Sequence, residues 1–132
     1  MKLVVSIVDD DPSVREGMID LLSSLDFIAE AFPRAEDFLK SSRLRTTSCL
    51  IADVQMPGMT GLELYNRLVG SGTAIPTILI TAFPNEADRA RALRDGVCCY
   101  LAKPVNVVEL LACIRSAAQH RLADGKHGHE GS

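Results

Sequence analysis

Cys49-Leu50-Ile51-Ala52-Asp53-Val54-Gln55-Met56-Pro57-Gly58-Met59-Thr60-Gly61 is the stretch on which the fold of this chain turns. An apolar run ends on a lone carboxylate, and a Pro-Gly loop follows almost at once. A short continuous apolar run bounded by turn residues fits a strand buried on both faces, as in a parallel sheet. Cys49–Val54 therefore reads as a strand. Thr60 and Glu63 have the spacing of a capping box, with Leu64, Leu68 and Val69 behind them, so a helix starts here and stops at Gly70 and Gly72.

The same alternation extends in both directions. Leu3–Val8 is apolar except for Ser6 and runs into Asp9, Asp10 and Asp11. Asp11-Pro12 reads as an N-cap with Pro at the first helical position, and Val14, Met18, Leu21, Leu22 and Leu25 follow at helical spacing. Phe27–Phe32 is a strand interrupted by Glu30; Ala35–Ser41 is a short helix with Phe38 and Leu39 inward; Arg43–Thr47 is a polar connection. Thr77–Thr81 is the fourth strand. Asn85 caps a helix over Glu86–Asp95 that Gly96 closes, with a thin apolar face and three arginines, Arg89, Arg91 and Arg94. Val97–Ala102 is the fifth strand, and Val107–Leu122 a last helix with Val107, Leu110, Leu111, Ile114 and Ala118 inward. Five such β/α units favour one parallel sheet with right-handed crossovers. Residues 1–122 are then one domain, and the polar, Gly/His-containing 123–132 a flexible tail or the start of a linker, in which His127 and His129 are solvated.

Composition narrows the setting. The 132 residues suit one domain, and 47% hydrophobic content with 5% aromatics and no Trp predicts an aliphatic core. A net charge of -3 argues against a nucleic-acid surface. No apolar run approaches the ~20 residues of a membrane span, and Met1-Lys2-Leu3 opens no signal-peptide pattern, so a cytoplasmic location with no membrane partner is expected. Cys49, Cys98, Cys99 and Cys113 form no C-x-x-C pair and are expected as reduced, buried small hydrophobes, the adjacent Cys98 and Cys99 pointing to opposite faces of their strand.

Parallel strands bring their carboxyl ends to one edge, where open α/β sheets place ligands. Asp9, Asp10, Asp53, Thr81 and Lys103 then share a pocket. Adjacent carboxylates repel unless a cation lies between them, and Mg²⁺ takes oxygen ligands while keeping several waters. Asp10, Asp53, a backbone carbonyl nearby and water would make that shell, with Asp9 bound directly or through water; Asp11 is better explained as a helix cap. An Asp53 oxygen can attack phosphorus to form an acyl phosphate. Lys103 brings a mobile charge for phosphoryl oxygens, in a turn where Pro104 admits a cis peptide bond. Singly, each group has an ordinary use: Asp53 caps a loop, Lys103 is solvated, Thr81 is a β-branched strand residue. Their shared place at successive strand ends is what points to chemistry.

Val8-Asp9-Asp10-Asp11, Asp53 with its Met-Pro-Gly-Met-Thr-Gly loop, Thr81-Ala82 and Lys103-Pro104 together resemble the receiver domain of two-component response regulators, over residues 2 to 122. The triple Asp and the Leu-Glu-Leu after Gly61 are most similar to receivers of the nitrogen-fixation-regulator type, which carry a LuxR-type output domain. The resemblance implies a flavodoxin-like α/β fold, a five-stranded parallel sheet in order 2-1-3-4-5 with helices on both faces. It implies Asp53 as phosphoacceptor, and Mg²⁺ held by Asp9, Asp10, Asp53 and the Gln55 backbone carbonyl, Asp10 binding directly. Thr81 and Lys103 would face the phosphoryl group, and Thr81 and Tyr100 would form a switch. The implied role is signalling rather than enzymatic turnover, through self-phosphorylation and self-dephosphorylation. A sensor histidine kinase would be the donor, a homodimer is expected on phosphorylation, and DNA would be reached only through an output domain absent from this chain. Three positions depart from the common pattern or tune it: Val105 stands where Phe is frequent, and Gln55 and Phe83 occupy sites that tune phosphoryl lifetime in the family. The rival reading is a small haloacid-dehalogenase-like phosphatase, for which Asp9 and Asp11 have the D-x-D spacing but lack the following Thr. A flavodoxin-like cofactor binder is disfavoured because Asp9–Asp11 repels phosphate.

Overall fold

The computed structural model describes residues 2–129, with side chains through 119. Five parallel strands, β1 (Val4–Val8), β2 (Ile28–Phe32), β3 (Cys49–Asp53), β4 (Thr77–Thr81) and β5 (Cys99–Ala102), form one sheet in the order β2-β1-β3-β4-β5. The flavodoxin-like arrangement expected from the sequence is the one observed. β1, β3 and β4 are buried at every residue, which explains why they read as continuous apolar runs. At the edge, β2 is only partly covered, and Glu30 reaches Arg43 at 3.1 Å, so the charge that interrupts this strand is paired.

The strand pleat sends alternate residues into two cores. Helices α1 (Pro12–Ser24) and α5 (Val107–His129) cover one face, where Val5, Ile7, Ile51, Ile78 and Ile80 meet Met18, Leu22, Leu110 and Ile114. On the other face α2 (Ala35–Leu39), α3 (Gly61–Gly70) and α4 (Glu86–Asp95) cover Val8, Leu50, Ala52 and Leu79, supplying Phe38, Leu64, Tyr65, Leu68 and Ala92.

Several details correct the sequence reading. The connection expected over Arg43–Thr47 contains a 3-10 turn, Ser42–Arg45, begun by the Ser41 hydroxyl accepting from the Arg43 amide. β5 starts at Cys99 rather than Val97, so Cys98 lies outside the pleat, and Cys98 and Cys99 pack against the same core instead of opposite ones. All four cysteines are free thiols, as expected, but only Cys49 and Cys113 are buried. Burial raises the Cys49 and Cys99 thiols above their ordinary range, and the neighbouring thiols add to this, which keeps both protonated. Val107, expected inward, and Leu25 and Val69, which read among the apolar residues of their helices, are each more than a third exposed, while Tyr65, Cys113 and Ala117 take inward positions. The last helix continues to His129 instead of stopping at Leu122, with Gly125 and Gly128 inside it.

Candidate functional site

Caps and turns place each group at the carboxyl edge. β1 is held to β2 up to Asp9, whose amide donates to the Phe32 carbonyl at 3.1 Å. Asp9 is fully buried, whereas Asp10 and Asp11 are exposed. The Asp11 carboxylate accepts from the Ser13 amide at 2.9 Å with Pro12 at the first helical position, so it is the α1 cap as its spacing implied. That use of Asp11 removes the second acid of a D-x-D phosphatase motif, and the phosphatase reading is not favoured.

Asp53 ends β3 at 5% exposure. The Val54 amide donates to the Ile80 carbonyl at 2.8 Å, which keeps the strand paired past the acid, and the Gln55 amide donates to Asp53 Oδ1 at 3.2 Å. From β5, Lys103 extends its ammonium between two acids, 3.0 Å from Asp9 Oδ2 and 3.3 Å from Asp53 Oδ2. Its amide is anchored by the Thr81 carbonyl at 2.8 Å, and the Lys103-Pro104 peptide bond is cis.

Charge in the pocket is out of balance. Burial pushes the Asp53 carboxyl above its usual range, and the Asp9 charge adds to this; the Gln55 amide and Lys103 oppose the shift without cancelling it. Burial works against the Lys103 charge, yet Asp9 and Asp53 hold its ammonium above the ordinary lysine value. One cation thus serves two buried acids, with Asp10 beside them. Oxygens of Asp9, Asp10 and Asp53 all lie within 4.8 Å of one another. An all-carboxylate set with one solvent-facing member fits Mg²⁺, which keeps water in its shell. Asp9 is the least available of the three: it is fully buried, and its oxygens are held closer than those of Asp53, Oδ1 by the Asp11 amide at 2.9 Å and Oδ2 by Lys103 at 3.0 Å. This disfavours Asp9 as a direct metal ligand relative to Asp10 and Asp53.

Thr81 and Tyr100 are brought near this edge in a different way. Thr81 is fully buried, and its hydroxyl accepts from the Phe83 amide at 3.0 Å. Among the described residues no hydrogen bond joins it to Asp53. Tyr100 is half-buried against the α3/α4 core, and its hydroxyl accepts from the Asn85 amide at 3.2 Å, which ties β5 to the cap of α4.

Two residues at the site do more than the sequence reading gives them: Gly61 reads there only as part of the loop after Asp53, and Arg15 has no reading at all. A Cβ on Gly61 would collide with the Asp53 carbonyl oxygen and come to 3.0 Å from Leu79 Cδ2, so only glycine lets α3 start this close to the acid. Arg15 Nη1 donates to the Asp9 carbonyl at 2.9 Å. The first carried a sequence signal, a Gly directly after a capping Thr; the second is one arginine on a surface helix and carried none.

A family model described as response regulator receiver domain matches residues 5–115. Nodulation protein W of Bradyrhizobium diazoefficiens is 34% identical over 118 residues, 89% of this chain and 52% of that protein. The chain therefore spans about half the length of that relative. Among solved structures, the response regulator StyR is 37% identical with a TM-score of 0.86, over 99% of this chain and 66% of that one. The crystal structure of FixJ-N is 28% identical with a TM-score of 0.81, over 91% and 96%. Both the matched residues and the order of the strands lead to one conclusion: the chain belongs to the response regulator receiver domain family.

Proposed function

We propose that Asp53 accepts a phosphoryl group from a phosphohistidine of a sensor histidine kinase. One observation carries this reading: Asp53 ends its strand with Oδ2 3.3 Å from the Lys103 ammonium and stands in an acid cluster with Asp9 and Asp10 whose excess negative charge suits a second cation, so a carboxylate nucleophile lies where two cations could receive phosphoryl oxygens. An Asp53 oxygen attacks phosphorus, the phosphorus–nitrogen bond breaks, and the imidazole leaves with the electron pair and takes up a proton. Family membership and the acid cluster support Mg²⁺ held by Asp10, Asp53 and the Gln55 carbonyl, with Asp9 acting through water. Bound there, Mg²⁺ would offset negative charge on the acids and the phosphoryl oxygens. Lys103 orients those oxygens, and the protein contributes position and charge, as in other phosphoryl transfers.

The signal then leaves through Thr81 and Tyr100. The Thr81 hydroxyl exchanges the Phe83 amide for a phosphoryl oxygen, which releases the loop after β4. Tyr100 and the α4 cap it binds follow, so the exposed face of α4 and β5 changes. A homodimer or an output domain acting in transcription reads that face; residues 123–132 belong to the connection. Incubation with acetyl phosphate and Mg²⁺ should add one phosphoryl group by intact mass, and Asp53→Asn should add none. A phosphoryl group that survives Asp53→Asn moves the chemistry elsewhere.

A further inference from the structure

The loop from β1 into α1 carries three successive carboxylates; in the function proposed above, on which this inference rests, Asp10 binds Mg²⁺ directly and Asp9 through water. What fixes the loop is visible at Asp9. Its amide is held by the Phe32 carbonyl, Oδ1 by the Asp11 amide, Oδ2 by Lys103, and its carbonyl oxygen by Arg15 Nη1 at 2.9 Å. The Asp9 carbonyl lies in the peptide plane that joins Asp9 to Asp10, and that plane is rigid. Asp10 is exposed, and among the described residues its carboxylate has no hydrogen bond or ion pair. Its aim therefore depends on the backbone that carries it, and Arg15 grips that backbone one peptide away.

We propose that Arg15 is a positioning residue for the Mg²⁺ site: by holding the Asp9 carbonyl it sets the Asp9–Asp10 peptide and so directs Asp10 toward the metal. It is the only basic residue in α1. A merely electrostatic role makes the opposite prediction. Removing a cation beside an acidic cluster strengthens the pull on Mg²⁺, whereas loss of an outer hydrogen-bond partner that orients a ligand weakens metal binding, commonly by 10-fold or more. The sign of the effect separates the two.

Titration of the unphosphorylated protein with MgCl₂ by calorimetry tests this without any phosphoryl donor. Arg15→Ala should bind Mg²⁺ about tenfold more weakly than wild type. Arg15→Lys keeps the charge and one donor, and should stay within about threefold of wild type, reflecting its loss of the planar fork. Thermal unfolding without Mg²⁺ should find both variants folded; if the Ala variant is not, Arg15→Gln takes its place and should also bind more weakly. An uncharged variant that binds Mg²⁺ as tightly as wild type or tighter overturns the proposal, as does a Lys variant as weak as the uncharged one. Wild type that takes up no Mg²⁺ overturns the reading of the pocket itself, and Arg15 with it.

Discussion

Helices α3 and α4 are each ten residues long, lie on the same face of the sheet, and begin with a side-chain cap, yet they are attached to the molecule very differently. α3 buries Gly61, Leu64, Tyr65 and Leu68; α4 buries only Ala92. The first turn of α3 is joined to β3 by the Gly61 amide donating to the Val54 carbonyl at 3.1 Å, directly beside Asp53. The cap of α4 is tied to β5 by the Asn85 amide donating to the Tyr100 hydroxyl at 3.2 Å. One helix is part of the core that fixes the acid. The other rests on the sheet with little apolar area to lose, so a local event can move it at small cost. The proposed function, which holds Asp53 still and also transmits its state, uses both kinds of attachment.

The largest test of this contrast is core deletion. Leu68→Ala should lower unfolding free energy by about 2–5 kcal/mol, because it leaves a cavity under α3. Leu93→Ala in α4, partly exposed at the start, should lower it by less than about 1 kcal/mol. Equal losses in urea titrations would break the comparison. Cap removal sharpens it. Thr60→Ala removes one arm of the α3 capping box and should appear as about 1 kcal/mol of global stability. Asn85→Ala removes the bond from the Asp88 amide, and should appear instead as faster amide exchange over Glu86–Asp95 with a nearly unchanged global midpoint.

The smallest effect concerns the acid next to α3. Because the Asp53 carboxyl is raised in the folded state, its charged form is disfavoured there relative to the unfolded chain. The sign follows: the fold loses stability as pH rises from about 4, where an unfolded Asp ionises, through the higher folded value. Asp53→Asn should therefore be the more stable protein at pH 7 without divalent cations, despite losing a Lys103 contact. The gap should close as pH falls below about 4 and narrow when Mg²⁺ is added. Wild type more stable than Asp53→Asn at pH 7 without divalents would contradict the charge imbalance drawn for this pocket.

Much of this was readable from residue order. Buried parallel strands write themselves as unbroken apolar runs, and caps such as Asp11-Pro12, Thr60/Glu63 and Asn85 are local, so the elements and the convergence of Asp53, Thr81 and Lys103 on one edge follow from the chain alone. Boundaries were less legible. Cys98 could not be told from a strand residue, and Leu25, Val69 and Val107 match helical spacing but fall where no partner covers them. The contacts of Thr81 and Tyr100 with backbone amides were not legible either, since a side-chain bond to a loop amide leaves no periodic trace.

The division has a physical basis. Hydrophobic period, caps and turn residues act within a few positions, and they determined the five β/α units and the acid, hydroxyl and ammonium at their ends. What depends on distances between segments remote in sequence was decided only by the tertiary structure. Asp9 and Lys103 are 94 residues apart, and only their meeting shows that one ammonium serves two acids. Gly61 is required by the nearness of one carbonyl, and Arg15 matters for the carbonyl it reaches, neither of which is a property of the residue itself.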